Sequence, residues 1–368
     1  MTRFHFSNTK DPDMRYLVGQ TISDPFFYLE HDGKRTIWLS ALDIGAFKSG
    51  DLEAEPLEPL IETARARADN VVCGIGATIL AQASIEEKIH ISRHFPLDLY
   101  QYLIEAGFDL TVSNAFVPER IVKTTFEIEE VHEAQQATVS AMQLVVSTLE
   151  AAEVRDHKLI FEGAVLTSEL LKERVHQHLF AKGFVNTEGL VISSGPESAL
   201  PHHEGVGPLR PHTPIICDIF PQQRERGYFG DMTRTFVKGG APPELTKMYD
   251  TVAAAQRAAF ATLKAGVPAK TPYEASAQVI QKAGYTVGPN KDNEGYIHSL
   301  GHGVGLEVHE APSLSPRSAE ILEAGMVVTI EPGLYYHDHG GVRLEDTVVI
   351  TEDGYTNLTE YPNHLVIK

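Results

Sequence analysis

Residues 298–310 read HSLGHGVGLEVHE, and this stretch decides which fold and chemistry we predict for the chain. It combines three histidines with three interleaved glycines, namely His298, His302, His309, Gly301, Gly303 and Gly305. Glycines at this density let the backbone approach its neighbours closely. A structural loop needs such glycines but not the histidines, so the pattern favours a functional site. It is not the helical HExxH zinc motif, because no second histidine follows Glu310 at the required spacing.

Carboxylates lie in four further short motifs, namely CDIF (217–220), GDMTRTF (230–236), TIEPG (329–333) and GVRLED (341–346). With the histidine loop, these motifs provide five metal-competent side chains: Asp218, Asp231, His302, Glu331 and Glu345. This donor set suits two divalent cations better than one, because carboxylates can bridge. Oxygen ligands favour Mn²⁺-like ions, and the imidazole keeps Zn²⁺ and Co²⁺ as alternatives. A paired metal site can activate water for hydrolysis.

The local setting of each carboxylate indicates where it would lie in a fold. Asp218 ends the apolar run TPIICDIF, and Asp231 begins the next strand-like run. An antiparallel hairpin would bring both to the same end of a sheet. Glu331 closes the apolar run MVVTI, where an unpaired buried carboxylate would be costly. Arg343 and Glu345 are two positions apart, so they would share one face of a strand.

The composition predicts a soluble globular protein of two domains. The chain has 368 residues, of which 42% are hydrophobic and 22% are charged. A formal net charge of −19 argues against a nucleic-acid interface, which needs clustered Lys and Arg. The sequence has no apolar run long enough for a membrane span and no apolar signal region, so we expect a cytoplasmic protein without membrane contact. Cys73 and Cys217 cannot form a disulfide framework, and Cys217 is expected to be a buried structural thiol.

Residues 1–122 mix short apolar runs with turn residues and predict an α/β domain. FFYLE and TIWLS predict two strands joined at HDGKR, which is a hairpin signal. IEEKIHISRHF (85–95) and LDLYQYLIEAG (97–107) are predicted to be helices, with Gly107 as a C-cap. CGIGATI lacks the third glycine of a dinucleotide-binding fingerprint, so we do not predict a cofactor loop there.

A domain boundary is expected near residues 118–126, where Pro118 precedes a long helical pattern. Apolar residues recur at three- and four-residue spacing from Ile128 to Leu149 and mark one face of a packing helix. Three more helices are predicted, namely one capped by Thr167 and ending at Gly183, one opened by Pro242 and Pro243 and ending at Gly266, and one opened by Thr271 and Pro272 and ending at Gly284. TPIICDIF, RTFVKG, MVVTIEP and DTVVIT predict strands.

The motifs together resemble the pita-bread metallopeptidases (family M24), which include methionine aminopeptidase, aminopeptidase P and prolidase. The resemblance covers roughly residues 123–368 and is specific, because GHGVGLEVHE, TIEPG and GVRLED occur in combination. The opening DP-D-MRYL resembles the creatinase-type N-terminal domain of the Xaa-Pro branch. The resemblance therefore implies an α+β protein, with a smaller creatinase-like α/β domain over 1–122 and a pita-bread catalytic domain over 123–368.

The resemblance assigns all five metal-competent residues as ligands, namely Asp218, Asp231, His302, Glu331 and Glu345. It implies that Asp231 and Glu345 bridge two divalent ions, and that His302 and Glu331 hold one of them. Glu331 would also accept a proton and pass it to the leaving nitrogen. Mn²⁺ is the favoured metal, with Co²⁺ and Zn²⁺ as alternatives.

Further matches of the resemblance place residues around the substrate. His309 matches the histidine beside the substrate carbonyl, and His202 matches one found upstream of the first ligand aspartate, with His203 as its alternative. Both His309 and His202 would donate to the developing oxyanion. His298 matches a substrate-contacting histidine. Arg343 matches a substrate-site arginine that is paired with the last glutamate.

The implied reaction is hydrolysis of an Xaa-Pro bond at a peptide N-terminus by a metal-bridged hydroxide. The substrate would carry proline at its second position, and the implied assembly is a homodimer. The sequence leaves open whether the enzyme is an Xaa-Pro dipeptidase (prolidase) or an aminopeptidase P. Methionine aminopeptidase activity is disfavoured, because those enzymes generally lack the N-terminal domain.

The resemblance leaves two other functions on this fold as alternatives to peptidase activity. A creatinase-like C–N hydrolase works without metal, and a binding module that has lost catalysis would have broken ligands. Both are disfavoured, because all five ligand residues are present. The chain departs from the family in that Asp218 and Asp231 lie two residues farther apart than usual, and His202 lies one residue nearer Asp218. The extra residues are expected in PQQRER (221–226), and the rim of the substrate pocket is where we expect their effect.

Overall fold

The computed structural model describes residues 1–48 and 50–368. The chain divides into two compact units, Met1–Arg120 and Ile121–Lys368. The assignment of residues 1–122 to a creatinase-like domain stays a prediction. Over the described ranges, no helix combines the length and the apolar character needed to cross a membrane.

The first unit is built on a six-stranded sheet. Its strands are β1 (Thr2–Ser7), β2 (Phe26–His31), β3 (Lys34–Leu39), β4 (Glu53–Pro56), β5 (Ile89–Ser92) and β6 (Leu110–Ser113). Its helices are α1 (Pro12–Val18), α2 (Glu58–Arg67), α3 (Val71–Gln82) and α4 (Leu97–Glu105), followed by a short 3₁₀ turn at Pro118–Arg120. The strand order is β4-β3-β2-β1-β5-β6, and the sheet mixes parallel and antiparallel pairs.

Two predictions for this unit are confirmed and one is wrong. The predicted hairpin is the antiparallel pair β2–β3, and the predicted helix at residues 97–107 is α4. Residues 85–95, predicted to be helical, contain strand β5 instead. Ile89 and Ile91 are buried on either side of a partly exposed His90, which is the period of a strand. Parallel pairing with β1 and β6 supplies long-range hydrogen bonds that override the local helical pattern.

The second unit contains four long helices, α5 (Thr125–Ala151), α6 (Ser168–Ala181), α7 (Pro243–Phe260) and α8 (Lys270–Lys282). The predicted packing helix is α5, and Thr167 caps α6 as predicted by accepting a hydrogen bond from the Leu170 amide (3.2 Å). Helix α7 ends at Phe260 rather than at Gly266. The amide of Gly266 is bonded to the carbonyl of Leu322, so tertiary partners replace the last helical turn.

Its strands are short and numerous, namely β7 (Glu153–Arg155), β8 (Lys158–Phe161), β9 (Ala164–Val165), β10 (Phe184–Val185), β11 (Val191–Ser194), β12 (Ile215–Ile219), β13 (Gln222–Gln223), β14 (Met232–Lys238), β15 (Gly301–Gly303), β16 (Glu310–Leu314), β17 (Val327–Ile330), β18 (Gly333–Tyr336), β19 (Gly340–Arg343), β20 (Asp346–Ile350), β21 (Tyr355–Asn357) and β22 (Val366–Ile367). Two larger sheets have the orders β11-β12-β14-β22 and β16-β15-β17-β20-β21. Each has its own hydrophobic core: Met142 of α5 and Ile215 belong to one, and Met248 of α7 and Val328 to the other. The mixture of helices and sheets agrees with the predicted α+β class.

The predicted hairpin of the two aspartates is confirmed. Strands β12 and β14 are antiparallel, and their register ends where Ile219 lies opposite Met232. Asp218 and Asp231 therefore lie at the same end of this sheet. Cys217, in the same strand, is a buried free thiol, as expected.

Candidate metal centre

The five metal-competent residues come from two sheets and converge in one place. Asp218 is the penultimate residue of β12, and Asp231 immediately precedes β14. His302 is the central residue of β15. Glu331 directly follows β17, and Glu345 lies between β19 and β20. Strand ends supply most of the cluster, which fixes each carboxylate to a rigid element.

The distances within the cluster would allow a metal ion to bind. One ligand atom each from Asp231, His302 and Glu345 lie within 4.8 Å of one another. His302 Nε2 is 3.1 Å from Glu331 Oε1 and 3.8 Å from Asp231 Oδ2. His302 Nδ1 lies 3.2 Å from the carbonyl oxygen of Gly303. A proton on Nδ1 is donated there, so Nε2 can offer its lone pair to a cation once it gives up the proton that it shares with Glu331.

Asp218 adds an oxygen that the protein itself does not satisfy. Its Oδ2 is 2.6 Å from Arg343 Nη2. Its Oδ1 is buried and has no hydrogen-bond partner among the described residues. A buried acceptor without a partner is costly unless something else binds it. The donor set therefore fits a divalent cation by both its chemistry and this unused oxygen.

Electrostatics within the cluster also favour a cation. Burial raises the pKa of Asp231 well above its usual range, and the charges of Glu345 and Asp218 raise it further. Burial likewise raises the pKa of Glu345, reinforced by Glu331 and Asp218. Burial opposes ionisation of Glu331 too, but the hydrogen bond and charge of His302 prevail and lower its pKa to about 2. Clustered carboxylates that resist ionisation are stabilised as anions when a cation binds between them.

Two threonines hold the glutamates in place, and the sequence did not single them out. Thr233 donates to Glu345 Oε2 (2.7 Å), and Thr329 contacts Glu331 Oε1 (3.3 Å). Thr329 also accepts the amide of His302 (3.1 Å). Each threonine is two positions from a ligand along the chain. On a strand this spacing puts two side chains on one face. It is the sequence signal that could have identified both threonines.

The glycines of the histidine loop have the role predicted for them. A Cβ atom at Gly301 would overlap the carbonyl of Thr329, and one at Gly303 would overlap the carbonyl of Ala311. One at Gly305 would overlap the Glu310 carboxylate. Only glycine lets β15 approach its neighbours this closely, which brings His302 to the end of β17.

His309 and His202 line the same cavity as the ligands. The ring centroid of His309 is 4.1 Å from that of His302. Burial, followed by the nearby His302, lowers the pKa of His309, so its ring is neutral near pH 7. His203 is directed elsewhere: its Nδ1 accepts the amide of Gly205 (3.0 Å), and it is not among the described residues that line this cavity.

A hydrogen-bonded chain runs from Arg343 to His298. Arg343 Nη1 donates to the Tyr335 hydroxyl (2.8 Å), which lies 3.1 Å from His298 Nε2. His298 Nδ1 is 2.7 Å from the carbonyl oxygen of Ser299, and burial lowers the pKa of His298. Tyr335 is fully buried, and no local sequence pattern marks it.

The partner of Arg343 differs from the expected one. The resemblance paired Arg343 with the last glutamate, Glu345, but the guanidinium forms its ion pair with Asp218. Its Nε contacts Thr233 (3.2 Å), the residue that also holds Glu345. Arg343 is thus buried and neutralises one carboxylate directly while bracing another through a hydroxyl group.

All nine predicted site residues line one cavity of about 570 Å³. They are Asp218, Asp231, His302, Glu331, Glu345, His309, His202, His298 and Arg343. The size lies within the range of small-molecule sites. Glu188, Glu204 and Glu310 add further carboxylates to the lining.

The longer segment between the two aspartates packs away from this cavity. Residues 221–226 are absent from its described lining. Strand β13 pairs with β10, Arg224 stacks on Phe180 (4.8 Å), and Arg226 stacks on Phe126 (5.4 Å). This segment is therefore held against α6 and α5, and the effect of the two extra residues on the pocket rim stays a prediction.

Comparison with known proteins agrees with this geometry. The family model for metallopeptidase family M24 matches residues 129–352. The chain belongs to metallopeptidase family M24. As a member of that family it is a hydrolase, and the resemblance drawn from its motifs is confirmed.

Relatives of this M24 chain include an uncharacterized peptidase, YqhT, of Bacillus subtilis, which is 31% identical over 79% of the chain and 80% of that protein. An Xaa-Pro dipeptidase of Pyrococcus furiosus is 35% identical over 67% of the chain and 65% of that protein. Among solved structures, an Xaa-Pro dipeptidase from Bacillus anthracis has a TM-score of 0.83 at 23% identity, covering 100% of this chain and 95% of that one. The X-Pro aminopeptidase of Thermotoga maritima has a TM-score of 0.78 at 22% identity, covering 100% and 97%. These structures confirm the predicted pita-bread fold.

Proposed function

We propose that this chain is a metallopeptidase that hydrolyses Xaa-Pro bonds at the N-termini of peptides, with Xaa-Pro dipeptides as its preferred substrates. The observation that carries the proposal is the cluster of Asp218, Asp231, Glu331 and Glu345 around His302 in one cavity. The dipeptide preference is supported by the name of the Pyrococcus furiosus relative, an Xaa-Pro dipeptidase.

Two divalent ions, with Mn²⁺ favoured and Co²⁺ or Zn²⁺ as alternatives, would be held by Asp218, Asp231, His302, Glu331 and Glu345. Asp231 and Glu345 would both be shared by the two ions, which is supported by the grouping of one ligand atom of each with His302 within 4.8 Å and by their raised pKa values. The predominance of carboxylate oxygen favours Mn²⁺ over softer ions. When bound, such ions lower the pKa of water and polarise a carbonyl group.

Glu331 would take the proton of the attacking water and pass it to the leaving nitrogen. His302 lowers the pKa of Glu331 to about 2 in the metal-free site, which supports an ionised carboxylate at neutral pH. The contact with His302 at 3.1 Å keeps Glu331 oriented toward the other ligands.

His309 and His202 would donate hydrogen bonds to the oxygen on which negative charge develops during attack. For His309 this role is supported by its neighbouring ring contact with His302 and by its lowered pKa, since a neutral imidazole still carries one N–H. His202 is an exposed member of the cavity lining, so it could reach a substrate without moving core residues.

His298 and Arg343 would bind the substrate beyond the scissile bond. Proline at this position presents a tertiary amide without an N–H. Recognition therefore has to rely on the shape of the proline ring and on the substrate's own carboxylate, and not on an amide donor. The carboxylates of the lining, including Glu188 and Glu204, would attract the free α-amino group of the peptide. The homodimer and the cytoplasmic location implied by the resemblance stay predictions.

A single comparison tests the proposal. Protein loaded in turn with Mn²⁺, Co²⁺ and Zn²⁺ is given Xaa-Pro, Xaa-Pro-Yaa and Xaa-Ala substrates with the same Xaa. We expect metal-dependent hydrolysis of Xaa-Pro, slower hydrolysis of Xaa-Pro-Yaa and none of Xaa-Ala. Faster cleavage of the tripeptide would make the enzyme an aminopeptidase P. Absence of metal binding would leave the creatinase-like or binding-module functions.

A further inference from the structure

Asp231 lies at a point where its strand has no neighbouring strand to bond. The β12–β14 ladder ends at the Ile219–Met232 pair, one residue after Asp231. Asp231 is nevertheless only 3% exposed. A buried peptide group beyond the end of a ladder must find its hydrogen-bond partners elsewhere.

Gln135 of α5 supplies both of those partners. Its Oε1 accepts the amide of Asp231 (2.8 Å), and its Nε2 donates to the carbonyl of Asp231 (2.9 Å). One side-chain amide thus takes the place of the missing strand. Gln135 is fully buried, and its Nε2 also donates to Thr359 Oγ1 (2.7 Å). Thr347 also donates to the Asp231 carbonyl (2.8 Å).

Gly230 makes this contact geometrically feasible. A Cβ atom at Gly230 would lie 2.5 Å from Thr138 Oγ1 and 2.6 Å from the carbonyl oxygen of Ala134, both on α5. The backbone before Asp231 therefore lies directly against the helix backbone. This close approach brings the side chain of Gln135 level with both peptide groups of Asp231.

We propose that Gln135 is a positioning residue that fixes the main chain of Asp231, and with it the direction of the Asp231 carboxylate, for metal binding. The inference rests on the proposed metal site. Groups that orient metal ligands through hydrogen bonds change metal affinity when they are removed, by about 10–100-fold. A glutamine that only filled the core would change the stability of the metal-free protein and leave its affinity for metal unchanged.

The test is calorimetric titration of chelator-treated full-length protein with Co²⁺ and with Mn²⁺. Gln135→Met keeps the volume and removes both hydrogen bonds, and we expect it to bind Co²⁺ about 10–100-fold more weakly. Its hydrolysis of an Xaa-Pro dipeptide should shift to higher metal concentrations and recover when metal is saturating. Gln136→Met, at an exposed neighbouring position of α5, is the matched control and should retain wild-type affinity.

Thr359→Val separates positioning from general packing. It removes the partner of Gln135 Nε2 and of the Thr347 amide but leaves both bonds between Gln135 and Asp231. We expect a lower melting temperature of the metal-free protein with near wild-type metal affinity. If Thr359→Val weakens Co²⁺ binding as much as Gln135→Met, or if Gln135→Met binds normally, the inference is wrong.

Two further results keep the test decisive. Should Gln135→Met fail to fold, Gln135→Glu provides the same test, because it keeps an acceptor for the Asp231 amide and loses the donor to its carbonyl. We expect this variant to bind Co²⁺ more weakly than wild type, and wild-type affinity would overturn the inference. If the wild-type protein itself binds neither metal, the proposed function fails, whereas normal wild-type binding with unchanged variants rejects only the role of Gln135.

Discussion

The two units of the chain differ in whether buried charges are paired with opposite charges. In the first unit, buried Arg3 forms ion pairs with Glu30 (2.7 Å) and Glu119 (3.1 Å), and His5 contacts Asp11 at 3.1 Å. In the cavity of the second unit, burial and mutual repulsion raise the pKa values of Asp231 and Glu345. In the first unit each of these carboxylates already has a basic partner, whereas the carboxylates of the second unit gain stability when a cation binds.

Within the second unit, two adjacent residues show the same contrast between paired and unpaired buried charge. Asp346, next to Glu345, forms a buried ion pair with Arg234 at 2.6 Å. Near His309, buried Lys123 and Glu310 are paired at 2.6 Å. Compensated charge thus extends to the edge of the cluster, and the surplus of negative charge is local to the proposed ligands.

The largest expected effect comes from Asp231→Asn. Removing a proposed bridging charge should lower Co²⁺ affinity by more than about 100-fold, beyond the range for groups that only orient a ligand, and abolish Xaa-Pro hydrolysis. The metal-free variant should nevertheless melt at or above the wild-type temperature, because a neutral amide relieves repulsion among buried carboxylates. Titration calorimetry and thermal melts in chelator measure the two effects.

Asp346→Asn is the matched control for that experiment, since it changes a buried aspartate that already has a partner. It should lower the melting temperature of the metal-free protein, because Arg234 loses its counter-charge. If Asp231→Asn also lowers that temperature, or if it retains activity, the cavity does not hold the surplus charge that we infer.

Residues that carry the chemistry could be predicted because each is marked in its own neighbourhood. Asp218 and Asp231 are flanked by strand patterns, which predicted their hairpin correctly. The glycines beside His302 predicted a close approach of the backbone, and the structure has it. A strand pattern of period two or a dense run of glycines is visible in a few residues of sequence.

The contacts that complete the site could not be predicted in this way. Arg343 is paired with Asp218, 125 positions away, although Glu345 is two residues along the chain. Gln135 belongs to a helix whose sequence pattern predicts only packing against the core. Such partners depend on which sheet and which helix meet, and local patterns carry no information about that. The wrong helix at residues 85–95 has the same cause, because parallel pairing of β5 decided its conformation.

The second largest expected effect is a loss of stability on breaking an ion pair of the first unit. Arg3→Met should reduce the free energy of unfolding by about 3 kcal/mol, the lower end for removing one partner of a buried ion pair, because Glu30 then lacks its cation. Metal affinity should not change. Denaturant unfolding followed by circular dichroism measures the loss, and Arg65→Met, at an exposed position of α2, is the control. A loss as small as that of the control would show that the two units do not differ in how they use buried charge.

The smallest effect is a pH dependence, and its sign differs between the units. Burial opposes ionisation of Asp11, but its bond to His5 lowers its pKa, so its stabilisation is present above the unfolded pKa and is lost as pH falls through the folded value. The raised pKa values of Asp231 and Glu345 act the other way. Their contribution to the metal-free protein is present at low pH and is lost as pH rises through the folded values.

Metal binding must therefore release protons from the cavity. We expect Co²⁺ affinity to increase as pH rises toward the raised pKa values of Asp231 and Glu345, by about tenfold per pH unit for each proton released. Titrations in two buffers with different ionisation enthalpies would count those protons. Binding that released no proton would mean that the pKa values of Asp231 and Glu345 are not raised in the metal-free protein, and the contrast between the two units would then fail.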